Sequence, residues 1–377
     1  MAFFRKFTKR IFIVSNIVVV ILFLLACANA FLHPSIWWFV SLLGLIFPLL
    51  LLLVVGFMIF WLFFPSRQLS LISLVTILIG WQNVHAFFAF DVHKKFILEK
   101  PTNALRIMTW NVRGWDEFIT RKPGASGHRQ AMMDFIERQN ADFLCFQEFL
   151  EPTNFKGLPS NIEYIRDQLH YPYYFFSRDY RGHAGQYESG VIIFSRHPFI
   201  DSFQIKFQNV RSSKGAESLV AADINVNGKK IRLYTTHLQS VLFESKDFRN
   251  VEIIKNVDDS VLEASRSIIK KLKTAYAARG DQADLVRQQL DQSPYPAIVC
   301  GDFNDVPNSY TYFRIRGDRQ DAYSTRGFGI GRTYVHISPT LRIDYIMTSR
   351  DFNILQCSKF PLPYSDHHPV ITDIQLP

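Results

Sequence analysis

Three long apolar stretches dominate the first ninety residues of the chain. They cover residues 11–32, 36–64 and 68–90. Between Arg10 and Asp91 the only formally charged side chain is that of Arg67. Each stretch, as a helix, is long enough to cross roughly 30 Å of hydrocarbon. The pattern predicts an all-α transmembrane region over residues 1–92 with about three helices.

Two alternatives stay open for this region. Gln82, Asn83 and His85 make the end of the third stretch polar, so one or two spans with a buried or interfacial helix also fit. The Ala-Asn-Ala run at 28–30 resembles a cleavage site, so the first stretch is alternatively a cleaved signal peptide.

From residue 105 onward, short apolar runs alternate with helical patterns. The runs are rich in β-branched and aromatic residues, as strands are. They are LRIMTWNVRG, ADFLCFQEF, ESGVIIFSR, KKIRLYTTHLQ, YPAIVCGDFND and RIDYIMTS. Residues 128–140 and 258–290 have helical spacing, and Asn227-Gly228 predicts a hairpin turn. The alternation is typical of a layered α/β sandwich.

The positive charge is concentrated near the apolar stretches. The net charge is +9, but residues 1–100 hold eight Lys and Arg against two acids, which leaves 34 against 31 for residues 101–377. A dedicated nucleic-acid binder more often has a concentrated basic face. The excess of basic residues in residues 1–100 therefore indicates side chains that flank membrane spans. The four cysteines lie mostly in apolar runs and predict no disulfide framework.

The basic residues also predict an orientation. Arg5, Lys6, Lys9 and Arg10 precede the first stretch and favour a cytoplasmic N-terminus. Three crossings then place the C-terminal domain outside the cytoplasm, and cleavage of the first stretch leaves this result unchanged. Lysines at 94, 95 and 100 argue for the opposite orientation.

Polar side chains capable of metal binding or proton transfer follow several of the predicted strands. Asn111, Glu148, His237, Asp302 and Asn304 close strands, Asp344 lies within one, and Asp366 and His367 occupy the segment YSDHHPV. If the strands run in the same direction, these residues meet at one rim. Alone, each has an ordinary structural interpretation as a cap, a turn residue or a core histidine.

These residue types suit phosphate-ester hydrolysis. Magnesium prefers oxygen ligands, which Glu148 and Asp366 supply. Asp302 is suited to orienting and deprotonating the attacking water. Asn111 and Asn304 form hydrogen bonds without repelling a phosphate. His237 and His367 can donate protons to phosphoryl oxygens.

The motif series TWNVRG, FLCFQE, TTHL, CGDFND, RIDYI and SDHHPV, in this order, resembles the endonuclease/exonuclease/phosphatase superfamily. The resemblance covers about residues 104–377, with residues 93–103 as a linker. It implies a four-layer α/β sandwich of the deoxyribonuclease I type and Mg²⁺-dependent hydrolysis, with Mn²⁺ as a possible substitute.

The resemblance also implies roles for individual residues. Glu148 is the expected principal metal ligand, with Asp366 completing the shell, and Asn111 orients the phosphate or the metal shell. Asp302 is expected to activate water, and Asn304 to contact the phosphate. The expected histidines are His367, which binds the scissile phosphate and is oriented by Asp344, and His237.

Two details distinguish the chain from the abasic-site endonucleases of this superfamily. TTHL contains a histidine that abasic-site endonucleases lack, and Arg113 stands where those enzymes have an acid, which puts a second metal in doubt. The segment from Ser240 to Gln292 has no catalytic motif. It is expected to be an amphipathic helix covering the sheet, with a substrate-selecting lid as the alternative.

The sequence thus predicts a multi-pass membrane protein with an extracytoplasmic, Mg²⁺-dependent phosphodiesterase or phosphatase domain. Its partners are the bilayer and a phosphate-ester substrate, either lipid or nucleic acid, and no protein partner is predicted. A membrane-anchored nuclease of the same superfamily and a catalytically silent binding domain are the alternatives.

Overall fold

The computed structural model describes residues 2–92, 95–117, 127–154, 157–208, 218–242, 247 and 261–376. Five helices form the N-terminal region. They are α1 (Ala2–Ala28), α2 (Pro34–Leu45), α3 (Phe47–Leu62), α4 (Ser70–Ile79) and α5 (Trp81–Phe87), with a 3₁₀ turn at Arg67–Leu69 before α4. A central apolar cluster, which includes Phe23, Phe47 and Phe87, holds them together.

Within the described residues, one helix is by itself long and apolar enough to cross a membrane, and it covers Lys6–Ala28. Each of the other two expected stretches is a pair of helices with a bend between them. The angle is 57° between α2 and α3 and 66° between α4 and α5. The first bend lies at Ile46, where Pro48 at the start of α3 lacks an N–H. The second lies at Gly80, where any side chain would overlap the ring of Phe23. Counting each bent pair as one span gives up to three.

Fifteen strands follow the chain order β1 to β15 in the described residues. They are β1 (Ala89–Phe90), β2 (Ala104–Asn111), β3 (Phe143–Pro152), β4 (Tyr173–Phe176), β5 (Tyr180–Gly182), β6 (Tyr187–Ser195), β7 (Phe199–Lys206), β8 (Ser218–Val226), β9 (Lys229–His237), β10 (Ala297–Asp302), β11 (Gln320–Asp321), β12 (Phe328–Gly329), β13 (Asp344–Thr348), β14 (Asn353–Lys359) and β15 (Val370–Gln375). Seven form one sheet, in the order β14-β15-β2-β3-β6-β4 with β5 also on β6. Six form a second sheet, in the order β11-β13-β10-β9-β8-β7.

Five further helices lie in the described residues of the sandwich, and the last of them packs against the core between the two sheets. They are α6 (Arg129–Gln139), the three-residue α7 (Asn161–Glu163) with a π-turn at Tyr164–Gln168, α8 (Val261–Asp291), α9 (Tyr310–Arg316) and α10 (Ala322–Arg326). The inner faces pack on each other through residues such as Ile193 and Leu233. Helix α6 covers the seven-stranded sheet and α8 the six-stranded one. The four-layer α/β sandwich is confirmed.

All six segments predicted as strands contain one, and α6 and α8 occupy the two segments predicted to be helical. A two-residue turn at Asn227-Gly228 joins β8 to β9, with both residues in the left-handed region. The sequence did not predict β15. Its apolar run is interrupted by Asp373, which is buried against the equally buried Arg106 at 2.7 Å.

The predicted insertion from Ser240 to Gln292 lies partly outside the described residues, because residues 243–246 and 248–260 are not among them. The described part is mainly α8, which covers the sheet: the Tyr234 hydroxyl donates to the Gln289 carbonyl at 2.9 Å. Helix α8 also packs against α2, since Pro34 fits against Gly280.

The N-terminal helices and the sandwich share a buried polar contact. Arg342, inside the sandwich, donates to the Ala86 carbonyl of α5 and to the Asp321 carboxylate, both at 2.6 Å. Strand β1 pairs with β12, and the Asn29 amide donates to the Asn308 carbonyl at 2.7 Å. The two regions are therefore packed together rather than only tethered.

Part of the expected linker over residues 93–103 is also packed on the sandwich. The carbonyls of Ile97 and Leu98 accept hydrogen bonds from Arg106, and Lys100 pairs with Asp142 at 2.8 Å. The domain boundaries themselves, 1–92, 93–103 and 104–377, stay predictions.

We expect Arg342→Met to destabilise the full-length protein by about 3–5 kcal/mol, because it leaves the buried Asp321 carboxylate unpaired. Thermal unfolding of the detergent-solubilised chain measures the loss. The matched control is Arg350→Met, because Arg350 is exposed. Equal midpoints for the two variants would contradict the structural role of Arg342.

Candidate active site

Strand ends from both sheets converge at one rim. Strand β2 ends at Asn111, and its parallel pairing with β3 ends at Gln147, next to Glu148. Strands β9 and β10 are parallel and end at His237 and Asp302. Strand β13 is antiparallel to β10, so its first residue, Asp344, lies opposite Asp302 in the ladder. The predicted convergence of polar strand ends is thus present.

The Asn111 side-chain amide joins the two sheets at this rim. Its Nδ2 donates to Glu148 Oε1 at 3.0 Å and to Asp302 Oδ2 at 3.1 Å. Its Oδ1 accepts from the backbone N–H of Arg113 at 3.1 Å, which fixes which way the amide faces. The amide therefore holds two carboxylates from different sheets close together.

A β-bulge directs Glu148 towards the cleft. The register between β3 and β6 shifts between Phe146 and Phe149, and Glu148 adopts a φ of +49°. Gln147 is buried, and its amide donates to Thr235 of the other sheet at 2.9 Å. Bulges often redirect a side chain beside active sites. Here the bulge leaves the Glu148 side chain 42 % exposed while its neighbour stays buried.

Two histidines flank the Asp302 carboxylate. His237 Nε2 lies 3.6 Å and His367 Nε2 lies 3.7 Å from Asp302 Oδ2. All three side chains are nearly inaccessible to solvent. His237 Nε2 also lies 3.8 Å from Glu148 Oε1. The arrangement places two proton-carrying rings against one buried acid.

His367 is held by Asp344 and by the backbone. Its Nδ1 lies 3.0 Å from Asp344 Oδ2, and its carbonyl accepts from the indole N–H of Trp110 at 2.9 Å. Burial acts to lower the pKa of His367, but the carboxylates of Asp344 and Asp302 outweigh it and raise the pKa to about 10. The imidazole is therefore a cation at neutral pH.

The pKa of Asp302 is shifted because its negative charge is buried. Burial, with repulsion from Asp344, raises the pKa of Asp302 to about 6, although His367, His237 and Asn111 partly offset the effect. A carboxylate with a pKa near neutrality is a stronger base than an exposed aspartate and suits proton abstraction.

Asn304 and Gly301 shape the turn after β10. The Asn304 N–H donates to Asp302 Oδ1 at 2.8 Å, and its side chain donates to the Leu238 carbonyl at 2.9 Å. Gly301 has a φ of +134°, and a side chain there would overlap the Thr236 carbonyl of β9. The glycine lets the two strands that carry His237 and Asp302 approach each other.

Arg113 is a residue whose role the motif comparison did not predict. The motifs show only that Arg113 replaces an acid. In the structure its guanidinium lies 3.3 Å from the Asp366 carboxylate, and the residue lines the cleft. Asp366, an expected metal ligand, is therefore ion-paired. Tyr334 was also not predicted, and its ring lies 5.0 Å from that of His367. No sequence signal singles out Tyr334.

The donor atoms at the rim fit a cation. One oxygen or nitrogen from each of Asp302, Asp344 and His367 lies within 4.8 Å of the others, which makes these residues a candidate metal group. However, both oxygens of Asp344 face His367 Nδ1, and a protonated His367 would repel a cation. The Glu148 side chain is 42 % exposed, against 1 % for Asp302 and for Asp344. The individual roles stay predictions.

Sequence profiles identify the family of the chain. The profile of the Endonuclease/Exonuclease/phosphatase family matches residues 108–367. The chain belongs to this family. Members of the family are hydrolases of phosphate esters, including nucleases, and use a divalent metal. A second profile, that of a domain of unknown function, matches residues 9–87. No curated protein matches the chain.

Solved structures of the family share the fold. An endonuclease/exonuclease/phosphatase from Beutenbergia cavernae aligns with a TM-score of 0.52 and 19 % identity over 73 % of this chain and 72 % of its own. The human Nocturnin catalytic domain with bound sulfate anion aligns at 0.51 and 17 %, over 73 % and 94 %. Humanized D. rerio TDP2 aligns at 0.50 and 17 %, over 73 % and 100 %. At these identities the likeness extends to the fold alone.

We expect His367 to make metal-free stability depend on pH. Its folded pKa exceeds the unfolded value of about 6.5, so its contribution is complete below that pH and is lost as the pH rises through its folded value. The difference in thermal midpoint between the wild type and His367→Gln, both with a chelator, should shrink from pH 7 to pH 10. A constant difference would show that His367 is not a buried cation.

Proposed function

We propose that the chain is a membrane-anchored, Mg²⁺-dependent phosphoesterase that hydrolyses a phosphodiester or phosphomonoester by in-line attack of water. One observation carries the proposal: the buried Asp302 carboxylate lies between His237 and His367 and shares the Asn111 amide with Glu148. A buried acid with two imidazoles and an exposed carboxylate beside it provides a base, phosphate-contacting groups and a metal ligand in one cleft.

Glu148 is the proposed principal holder of Mg²⁺, and Mn²⁺ is the proposed substitute. When bound, the ion neutralises charge that develops on phosphoryl oxygens. Asp366 is the second proposed ligand. Its ion pair with Arg113 means that cation binding and the Arg113 contact compete for the same carboxylate.

The remaining residues act on water and phosphate. Asp302 orients the attacking water and accepts its proton, which its raised pKa favours. His367, held as a cation by Asp344, stabilises negative charge on the phosphate together with His237. Asn304 orients the phosphate with the amide N–H that does not bond the Leu238 carbonyl. Asn111, whose two amide protons are donated to Glu148 and Asp302, orients the metal shell.

The alternatives use the same rim. A silent binding domain would be expected to lack an essential acid, yet Glu148, Asp302 and Asp344 all lie at the rim. A nuclease would employ the same acid and the same histidines, so the two enzymatic proposals differ only in what the rest of the cleft recognises.

We expect Glu148→Gln and Asp302→Asn each to lower turnover of bis(p-nitrophenyl) phosphate at least about 10²-fold with saturating Mg²⁺. Each variant removes one carboxylate charge and retains the side-chain shape. The matched controls are Glu137→Gln and Asp351→Asn, which alter exposed acids. Near-wild-type rates in either active-site variant would refute the assignment.

We propose that residues 1–92 anchor the enzyme, with α1 as one span and the bent pairs α2–α3 and α4–α5 as the other two. The exposed apolar side chains of α3 and α4, such as Leu52 and Leu78, support lipid contact for these helices. In this arrangement, residues 93–103 link the anchor to a catalytic domain of residues 104–377.

The charge bias and three crossings predict an extracytoplasmic catalytic domain. Alkaline phosphatase fused after Pro377 should be active in intact cells, whereas a fluorescent protein that folds only in the cytoplasm should stay dark. Fluorescence without phosphatase activity would place the domain in the cytoplasm and refute the outward-facing arrangement.

A further inference from the structure

The active-site cleft has a second half that the hydrolytic chemistry does not use. The cleft has a volume of about 490 Å³ within the described part of the chain. The catalytic rim, including Glu148, His237 and Asp302, lines the cleft. Aliphatic side chains also line it, and six of them, which we call the apolar wall, are Leu45, Val241, Ile268, Leu272, Leu341 and Ile343.

The apolar wall joins the catalytic domain to the N-terminal helices. Ile268 and Leu272 lie on α8, whereas Leu45 is the last residue of α2. Shortly after Leu45 along the chain, Ile46 and Leu49 are 43 % and 55 % exposed. The cleft residue Leu45 is therefore followed by exposed apolar side chains of the helices proposed to lie in the membrane.

A buried hydroxyl also lines the cleft without a partner. The Tyr276 hydroxyl on α8 is inaccessible to solvent and has no hydrogen-bond partner within the described residues. An unsatisfied buried polar group has a free-energy cost of about 1–3 kcal/mol.

The charges of the cleft do not suit a nucleic-acid strand. Its two arginines in the described residues are both ion-paired, Arg113 with Asp366 and Arg279 with Asp305 at 3.2 Å. Binding of single strands relies on cationic grooves and stacked aromatic rings. A wall of aliphatic side chains provides neither.

We infer that the substrate is a lipid phosphoester, whose apolar chain lies against the apolar wall while its phosphate faces Asp302 and the two histidines. The inference rests on the proposed phosphoesterase function and specifies its substrate. The lipid would enter beside Leu45, where the cleft adjoins the N-terminal helices. Its apolar chain would stay in contact with apolar side chains during entry.

The test uses the full-length chain in detergent with Mg²⁺ and a series of alkyl p-nitrophenyl phosphodiesters from methyl to dodecyl. The p-nitrophenyl ester of thymidine 5′-phosphate presents a nucleoside with the same leaving group. We expect kcat/KM to rise roughly two- to fourfold per methylene until the cleft is filled. The thymidine ester should react more slowly than the dodecyl ester.

Variants distinguish binding of the alkyl chain in the cleft from partitioning of the long-chain esters into detergent micelles. Leu272→Gln should lower the dodecyl-to-methyl ratio of kcat/KM by about tenfold or more, because it makes the wall polar. Leu45→Gln should act in the same direction from the other helix. Ile269→Gln is the matched control, because Ile269 is exposed on α8 and does not line the cleft.

Each result decides between the substrate and the function. Four results would overturn the lipid assignment but leave the phosphoesterase function intact. Two concern the dodecyl-to-methyl ratio of kcat/KM in the variants: the ratio is lowered equally by Ile269→Gln, or it is unchanged in both wall variants. The other two concern the wild type: its ratio is near one, or it prefers the thymidine ester. Hydrolysis of no ester by the wild type, with either Mg²⁺ or Mn²⁺, would overturn the proposed function and the lipid assignment with it.

Discussion

The burial of the Asp302 charge is the constraint on which the rim depends. A carboxylate out of contact with water is costly unless hydrogen bonds and opposite charges surround it. The fold supplies these from three directions: Asn111 from the seven-stranded sheet, His237 from the neighbouring strand and His367 from the C-terminal segment. Because the partners come from both sheets, the site exists only when the sandwich is closed.

Backbone conformations that are unusual for their residues cluster at this rim. Arg113, Glu148 and Asn304 all have positive φ values, between 47° and 53°. Such conformations cost about 1–3 kcal/mol each and persist only where the surrounding structure imposes them. Here hydrogen bonds impose two of them: the Arg113 and Asn304 N–H groups donate to Asn111 and Asp302. Stability and site geometry are therefore coupled at the same residues.

The contact between the N-terminal helices and the sandwich gives the second half of the cleft its character. Arg342 holds the α5 carbonyl of Ala86 inside the catalytic domain, and α2 packs against α8. As a result Leu45, from the apolar region of the chain, becomes part of the cleft wall. A domain with the same catalytic rim but without these helices would lack Leu45 in the lining of its cleft.

The sequence by itself determined the division into an apolar region and an α/β region, six strands and two helices, because local periodicity and turn residues encode them. Its motif order also indicated the residues of the rim, several of which directly follow a short apolar run. The tertiary structure alone decided the features that depend on distant segments. These include the bend at Gly80 against Phe23, the Arg113–Asp366 ion pair, the strand β15 whose buried Asp373 needs Arg106, and the meeting of Leu45 with α8. Each depends on contacts between residues far apart in the chain, which no local pattern records.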